Sequence, residues 1–440
     1  MTVTPRRATT GSQRAAPLPR LSLAQIIETV TDELPFRFTG YDGSACGPAD
    51  APLGVHLAAP RGVNYLAAAA RDLDLGLARA YVAGDLELDG AHPGDPYPLL
   101  LALKDELRTR RPTASELAAI TRSLGWERLR PVEPPPQEAL PRWLRIADGL
   151  VHSRSRDSGA IHRHYDVSNA FYEHVLGPSM AYTCAVFLRE DVTLEDAQHA
   201  KHDLVARKLG LEPGMRLLDV GCGWGGMVRH AARLGVHALG VTLSAEQARW
   251  AQHAIAREGL GGLAEVRHLD YRDAPGYGYD AISSIGLTEH IGIAEYPAYF
   301  RHLRAKLRPG GRLLNHCITR PSNRAGPRTG SFIDRYVFPD GELTGSGRII
   351  SEAQDAGLEV RHEENLREHY GMTLRAWCAN LVEHWDACVA EVGEGTARVW
   401  GLYMAGSRLG FERNQIQLHQ VLAVAPDPSG AAHIPLRPWW

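Results

Sequence analysis

Four small groups of residues in this chain are of types and spacings that could do chemistry together. The first is Asp219 followed by Gly221, Cys222 and Gly223, within Leu217-Leu218-Asp219-Val220-Gly221-Cys222-Gly223-Trp224-Gly225-Gly226. Its glycines let the backbone turn sharply and approach a ligand that a Cβ would hold off. The next segment, Gly226 to Leu234, has helical composition, so its free N–H groups would face whatever lies over the turn. The second group is Thr242 with Gln247. Their hydroxyl and amide suit a ribose, where a dinucleotide site usually places an acidic side chain. In the third, Asp270-Tyr271-Arg272-Asp273, Asp270 can accept from an adenine amino group while Tyr271 packs on the ring. Singly, each is an ordinary cap or loop residue. In this order they make a nucleoside pocket. The fourth is Glu289-His290, placed for reactive groups, although an acidic residue in the first turn of a helix would look the same.

These groups need a scaffold. Met215 to Val220 is short and mostly apolar, as an inner parallel strand should be. Strands are expected at Arg216–Val220, Ala238–Thr242, Ala264–His268, Ala281–Ser284 and Arg312–His316, with helices between them. That alternation implies an α/β fold, a Rossmann-like, doubly wound, mainly parallel sheet whose ligands sit at the carboxyl ends of the strands near the switch point. Gly310-Gly311 reads as a tight turn before the last strand. After Thr319 the order becomes irregular, then helical over Thr373–His384 and Thr396–Phe411.

Upstream, residues 21–130 read as a smaller α+β domain. Phe36-Arg37-Phe38 and Gly54–Leu57 are strand-like, and Gly40–Ser44 is a turn. Helices are expected at Val63–Arg71, Leu75–Val82, Leu99–Leu107 and Ser115–Leu124. Pro131, Pro134, Pro135, Pro136 and Pro141 mark a spacer and the best boundary in the chain. The segment 131–158 continues as a basic stretch from Arg142 to Arg156, read either as a solvated face or as a surface for anionic headgroups. The catalytic domain then runs over 159–440. Met1 to Arg20 reads as a disordered arm, lacking the apolar core of a signal peptide.

A length of 440 residues favours two domains. With 44% hydrophobic and 22% charged residues the composition is that of a soluble globular protein. The net charge of −3 makes no case for nucleic acid as a partner. Six scattered cysteines without C-x-x-C pairs argue for reduced thiols in a cytoplasm, not for disulfides or a structural zinc, and no metal is expected. Apolar stretches such as Tyr97–Leu103 fall short of the ~18–20 residues needed to span a bilayer. The expected location is therefore cytoplasmic, and any membrane contact must come from a local basic patch.

The pattern D-x-G-C-G-x-G resembles motif I of class I S-adenosylmethionine-dependent methyltransferases. A narrower resemblance is carried by His164-Tyr-Asp-Val-Ser-Asn169, Tyr182-Thr183-Cys184, the GCGWGG turn, Gly240–Gln247, Asp270–Asp273 and Glu289–Gly292. It continues through Phe332–Gly341, Tyr370–Trp377 and Arg413–Val421. Over about Ala160–Leu422 the chain is similar to the cyclopropane-fatty-acyl-phospholipid synthases and mycolic acid cyclopropane synthases. The N-terminal unit resembles the extra domain of the longer, phospholipid-acting members.

The resemblance implies S-adenosylmethionine as cofactor, with Tyr182, Thr183 and Arg272 joining Asp219, Gly221, Cys222, Gly223, Thr242, Gln247, Asp270 and Tyr271 around it. It implies methyl attack by a cis alkene of an acyl chain, a carbocation, and proton loss that closes a cyclopropane. A bound bicarbonate is the implied base, held by Cys184, Glu289, His316, the Ile318 backbone and Tyr370. His and Tyr can donate to an oxyanion, and Glu289 can orient His316 or accept the bicarbonate proton. Tyr165, Tyr182, Tyr336, Phe338, Tyr370 and Trp377 are candidate electron-rich walls for the cation. Implied partners are unsaturated phospholipid acyl chains at a membrane surface, a second copy of the chain in a homodimer, and a separate reductase if the product is methyl-branched. Departures from the family pattern at Thr288 and in the polar run Asn315-His316-Cys317 leave ring and methylene or methyl-branched products both open. A small-amine methyltransferase would not need the bicarbonate set and would bind no liposomes. In another class altogether, a non-catalytic lipid-binding protein would consume no cofactor.

Overall fold

The computed structural model of the chain describes residues 20–68, 72–139, 168–438 and 440. Three sequence expectations lie outside the described residues: the N-terminal arm up to residue 19, the basic stretch 142–156, and His164–Val167 with Tyr165.

The larger unit is built on a seven-stranded sheet. Its strands are β7 (Arg216–Val220), β8 (His237–Thr242), β9 (Ala264–His268), β10 (Tyr279–Ile285), β11 (Leu307–Thr319), β12 (Glu359–Asn365) and β13 (Gln417–Val424). Their spatial order is β12-β13-β11-β10-β7-β8-β9, and β13 alone runs antiparallel to its neighbours. All five expected strands are present in parallel register. The order reverses between β7 and β10, so the chain ends of those two strands flank the crevice where ligands bind in such sheets. Leu217, Leu218 and Val220 are completely buried, as a strand covered on both faces requires.

Two strands escape the sequence reading. β12, Glu-Val-Arg-His-Glu-Glu-Asn, is a polar edge strand with no apolar run to announce it. β13 is buried from Leu418 onward, but Gln417, His419 and Gln420 break its hydrophobic pattern. The Gly310-Gly311 pair is not a turn ahead of β11. It lies inside that strand, where the pairing with β10 shifts between Tyr279–Leu307 and Ala281–Arg312.

The N-terminal unit is α+β, as expected. β2 (Arg37–Gly40), β3 (Ala45–Cys46), β4 (Gly54–Leu57) and β5 (Leu86–Asp89) form one sheet; β1 (Thr31–Glu33) pairs with β6 (Arg108–Thr109) in another. Helices cover Leu23–Val30, Pro60–Ala68, Leu73–Val82, Tyr97–Asp105 and Ala114–Leu124. Phe36, Phe38, Val55, Leu57, Tyr65 and Tyr81 fill the core between sheet and helices. The first helix, unforeseen, is set by a capping box of Ser22 and Gln25.

The proline-rich segment is pinned at its described end. Tyr65 Oη donates to the Glu133 carbonyl at 3.0 Å, and the Ala139 N–H donates to Arg335 O at 2.7 Å. The fully buried Glu138 carboxylate takes Arg79 from the N-terminal unit at 2.6 and 2.7 Å, and Arg335 and Tyr336 from the larger unit. The helix Glu394–Glu412 also joins the two units. Leu402 packs on the N-terminal core, Arg398 Nη1 donates to Tyr81 O at 3.0 Å, and a Cβ at Gly401 would collide with the Pro93 carbonyl.

Candidate active site

Two cavities open at the carboxyl end of the sheet. The first is lined by the glycine turn after β7 and by the strap Met180–Thr183, with Lys201, Asp219, Gln247 and Gly286. Gly221 and Gly223 hold φ of 73° and 53°, a region that favours glycine, and nothing stands within 4 Å of where a Gly223 Cβ would be. Trp224 Nε1 in the turn donates to Asn169 Oδ1 at 2.9 Å, joining two of the motifs that carry the family resemblance. Gln198 Nε2 donates to the carbonyls of Ala181 and Thr183 at 3.2 and 2.9 Å and fixes the strap. The expected Tyr182, Thr183, Asp219, Gly221, Cys222, Gly223 and Gln247 all line this cavity.

Four other expected cofactor residues do not. Thr242 is buried beside Gln247 and its hydroxyl donates to Gln247 Oε1 at 2.8 Å, which orients that amide. Asp270 caps its own turn and accepts Arg272 at 2.8 and 2.5 Å. Tyr271 packs against Tyr299 and His302 at 5.4 and 5.8 Å, with the Arg272 guanidinium over its ring. A short helical turn therefore uses these side chains for its own closure.

Lys201 is the residue that sequence reasoning missed here. It is fully buried and donates from Nζ to Thr183 Oγ1 at 2.8 Å. Burial pulls its pKa down to about 8, and burial pushes the Asp219 carboxyl up to about 7 while Ser283 Oγ donates to it at 2.6 Å. Only its position among the apolar residues of the helix Leu194–Leu209 could have signalled it.

The second cavity encloses about 170 Å³. Ile318, Ile333, Phe338, Leu343, Leu374 and Ile416 make most of its wall, with Tyr370, Tyr403 and Phe411. Tyr370 lies on Phe411 at 4.5 Å between ring centroids. Of the expected aromatic walls, Tyr182, Phe338 and Tyr370 line it. Trp377 sits buried behind Tyr182, and Tyr336 turns away to Phe332 and Glu138. Tyr182, Thr183 and Gly286 belong to both cavities, so the two meet there. Gly286 holds φ of 75°, and a Cβ on it would stand 3.1 Å from Thr183 Cγ2.

Of the residues implied for bicarbonate, Glu289, Ile318 and Tyr370 line the second cavity, and Cys184 and His316 lie buried outside its lining. The Ile318 N–H donates to Glu289 Oε1 at 2.7 Å, so this backbone donor is taken and Glu289 is oriented by Ile318, not by His316. Glu289 Oε2 reaches no hydrogen-bond partner among the described residues. Burial pushes this carboxyl up to about 7, against the pull of the Ile318 N–H. Cys184 is wholly buried, its thiol facing the carbonyls of Ala185 and Leu366 at 3.2 and 3.8 Å, and burial holds it protonated.

His316 is buried outside the lining of either cavity, and its protonation is set by a chain of side chains. Lys208 can only donate, and its Nζ lies 2.8 Å from Gln420 Oε1 and 2.5 Å from Glu364 Oε2. The Gln420 amide nitrogen therefore faces His316 Nδ1, at 3.2 Å, and Nδ1 must accept. Burial, reinforced by Lys201 and Lys208, keeps the imidazole neutral, so its proton sits on Nε2. That Nε2–H has no partner among the described residues. The polar run of β11 is thus divided by the strand's alternation. Asn315 and Cys317 bond to each other on the face away from His316, and Thr288 is buried.

A doubly wound sheet with this order, and a cavity built on the glycine turn at its switch point, is the fold of a class I S-adenosylmethionine-dependent methyltransferase. A family model described as mycolic acid cyclopropane synthetase matches residues 152–421, and the chain belongs to that family. It is 63% identical over 96% of its length to a Mycobacterium tuberculosis protein named a probable fatty acid methyltransferase, covering 99% of that relative. It is 32% identical over 92% of its length to tuberculostearic acid methyltransferase UfaA1 of the same organism, covering 91% of it. Cyclopropane-fatty-acyl-phospholipid synthase of Escherichia coli is 35% identical over 63% of this chain and 72% of its own. Among solved structures, the cyclopropane synthase MmaA2 from M. tuberculosis matches 62% of this chain and 98% of its own with a TM-score of 0.57 and 33% identity. Mycolic acid cyclopropane synthase CmaA1 complexed with SAH and CTAB matches 60% and 97%, with a TM-score of 0.56 and 33% identity.

Proposed function

We propose that this enzyme methylates the cis double bond of an unsaturated phospholipid acyl chain held in the larger cavity. The observation that carries the reading is the junction at Tyr182, Thr183 and Gly286, where a largely apolar cavity meets the glycine-turn cavity. S-adenosylmethionine, when bound, supplies an electrophilic methyl group: the methyl–sulfur bond breaks as the alkene forms the new carbon–carbon bond, and S-adenosylhomocysteine leaves. Tyr182, Tyr370 and Tyr403 face the resulting cation with electron-rich rings, and the apolar wall excludes water that would quench it.

A proton must then leave the added methyl. Glu289, with one oxygen held by Ile318 and the other unengaged, is placed to take it up. The buried His316 Nε2–H and the Tyr370 hydroxyl are donors of the kind that bind bicarbonate, which when bound would supply the immediate base; Glu289 would accept the proton onward. Proton loss with ring closure gives a cyclopropane. A second reading gives a methylene branch, after a hydride shift moves the cation onto the methylated carbon. It is favoured by the near full-length similarity to the tuberculostearic acid methyltransferase, and its product needs a separate reductase to become methyl-branched. The enzyme would meet its lipid at the inner membrane face; no helix among the described residues is long and apolar enough to cross a bilayer.

Incubation with oleoyl phospholipid vesicles and methyl-labelled cofactor, followed by mass spectrometry of the released fatty acids, tests the reading. A labelled gain of CH₂ that survives mild hydrogenation identifies the ring, and a terminal-methylene signal the branch. Lipid without label overturns both. Repeating the assay in carbonate-depleted buffer, then restoring bicarbonate, decides whether Glu289 acts alone.

A further inference from the structure

Behind the cofactor cavity, on the far side of two helices that line it, three side chains converge. His199 and Asp203 are four residues apart on the helix Leu194–Leu209 and so share one face. His230 comes from the last turn of the helix Gly226–Arg233. One donor atom of each lies within 4.8 Å of the other two. Asp203 Oδ2 is 3.3 Å from His199 Nδ1, and Oδ1 is 3.0 Å from His230 Nε2.

The His230 side chain is only 5% exposed, and its Nε2, although close to Asp203, is not aligned for a hydrogen bond with any described residue. A buried imidazole nitrogen that shares one carboxylate with a second imidazole, all three donor atoms within 4.8 Å, has the donor set of a metal ligand cluster. The surroundings favour a cation. The helix end that carries His230 has the negative pole of its dipole there. The nearest arginines are already engaged, since Arg229 Nη1 and Arg233 Nη2 both donate to Glu258. His199 and Asp203 are 63% and 44% exposed, which leaves a path for entry and positions for water ligands.

We propose that His199, Asp203 and His230 form a binding site for a divalent transition metal of the zinc class, with two imidazoles and one carboxylate as ligands. The expectation of no metal rested on the spacing of the cysteines, and these ligands are histidines brought together by packing. The bound ion ties the helix that supplies Lys201 and His202 to the cofactor cavity to the helix whose N-terminus opens on it.

Zinc binding to the metal-stripped full-length protein, measured by calorimetry and by the thermal midpoint, tests this. One equivalent of Zn²⁺ should bind and raise the midpoint. His199→Ala and Asp203→Asn, both at exposed positions that the fold tolerates, should each weaken that binding by at least about tenfold, the loss typical even of residues that only support a ligand. Both should also abolish the midpoint shift. Zinc binding of unchanged affinity and stoichiometry in both variants, or no equivalent bound by the unaltered protein, overturns the proposal. Co²⁺ in place of zinc gives an independent reading: its ligand-field spectrum should be lost in the same two variants.

Discussion

The two cavities that meet at Gly286 are made in different ways. The cofactor cavity centres on one glycine turn, Asp219 to Met227, to which the strap Met180–Thr183, Lys201, His202, Gln247, Ile285 and Gly286 are added. The acyl cavity is gathered from the same strap and Gly286–His290, then from Ile318–Leu343, Tyr370–Leu374 and Tyr403–Ile416. A site written in one turn tolerates change elsewhere in the chain. A site assembled from distant pieces depends on every contact that holds them. Substitutions on the acyl side should therefore damage transfer without loosening the cofactor.

The largest effect is expected for Glu289→Gln. Removal of the proton acceptor should lower kcat by ~10²–10⁴-fold, typical of a lost general base, while S-adenosylhomocysteine affinity measured by calorimetry stays within experimental scatter. Equal losses in both would erase the distinction between the cavities. Next, Glu138→Ala leaves Arg79 and Arg335 buried without their carboxylate and should cost about 3–5 kcal/mol of stability in denaturant melts. Gly286→Val acts at the junction itself. It strains a positive φ and crowds Thr183, so transfer should fall on the order of 10²-fold, the price of a misplaced reacting pair, and here alone cofactor affinity should fall too.

Gln420→Leu removes the donor to His316 Nδ1 and should move the imidazole proton between its nitrogens. A nitrogen NMR shift would report this, with a fall in kcat of about tenfold, the cost of about one hydrogen bond left unmade. The smallest test is pH. The Glu289 carboxyl, raised to about 7 by burial, accepts a proton only when ionised. kcat/KM should therefore rise with pH through about 7 and fall tenfold per unit below it. Asp219 is pushed to about 7 as well, so the same limb should persist in Asp219→Asn.

The same contrast explains what could be read from sequence. The five parallel strands and the glycine cradle are local patterns, each complete within ten residues, and they stand where expected. Asp270 and Thr242 are the right types in the right order. Each bonds to a near neighbour, Asp270 to Arg272 and Thr242 to Gln247, and a one-dimensional pattern does not show such pairings. Lys208, Gln420 and Glu364 lie on three separate elements, and no spacing rule connects them to His316. β12 and β13, which carry two of these, lacked the apolar periodicity that marks a strand. Glu289 follows from its place after the fourth strand and Tyr370 from the family resemblance, and both line the cavity. Cys184 came the same way, and its thiol is turned to backbone carbonyls.

The helix Glu394–Glu412 bears on how this enzyme could be dissected. One side of it carries Tyr403, Ser407 and Phe411 into the acyl cavity; the other receives Pro93, Tyr81 and the N-terminal core through Gly401, Arg398 and Leu402. Severing the chain at its prolines would bare Leu402 to water and break the Arg79–Glu138–Arg335 bridge. The proline spacer is thus bridged by contacts between the units on its two sides, and an excised catalytic half should come out of the cell insoluble.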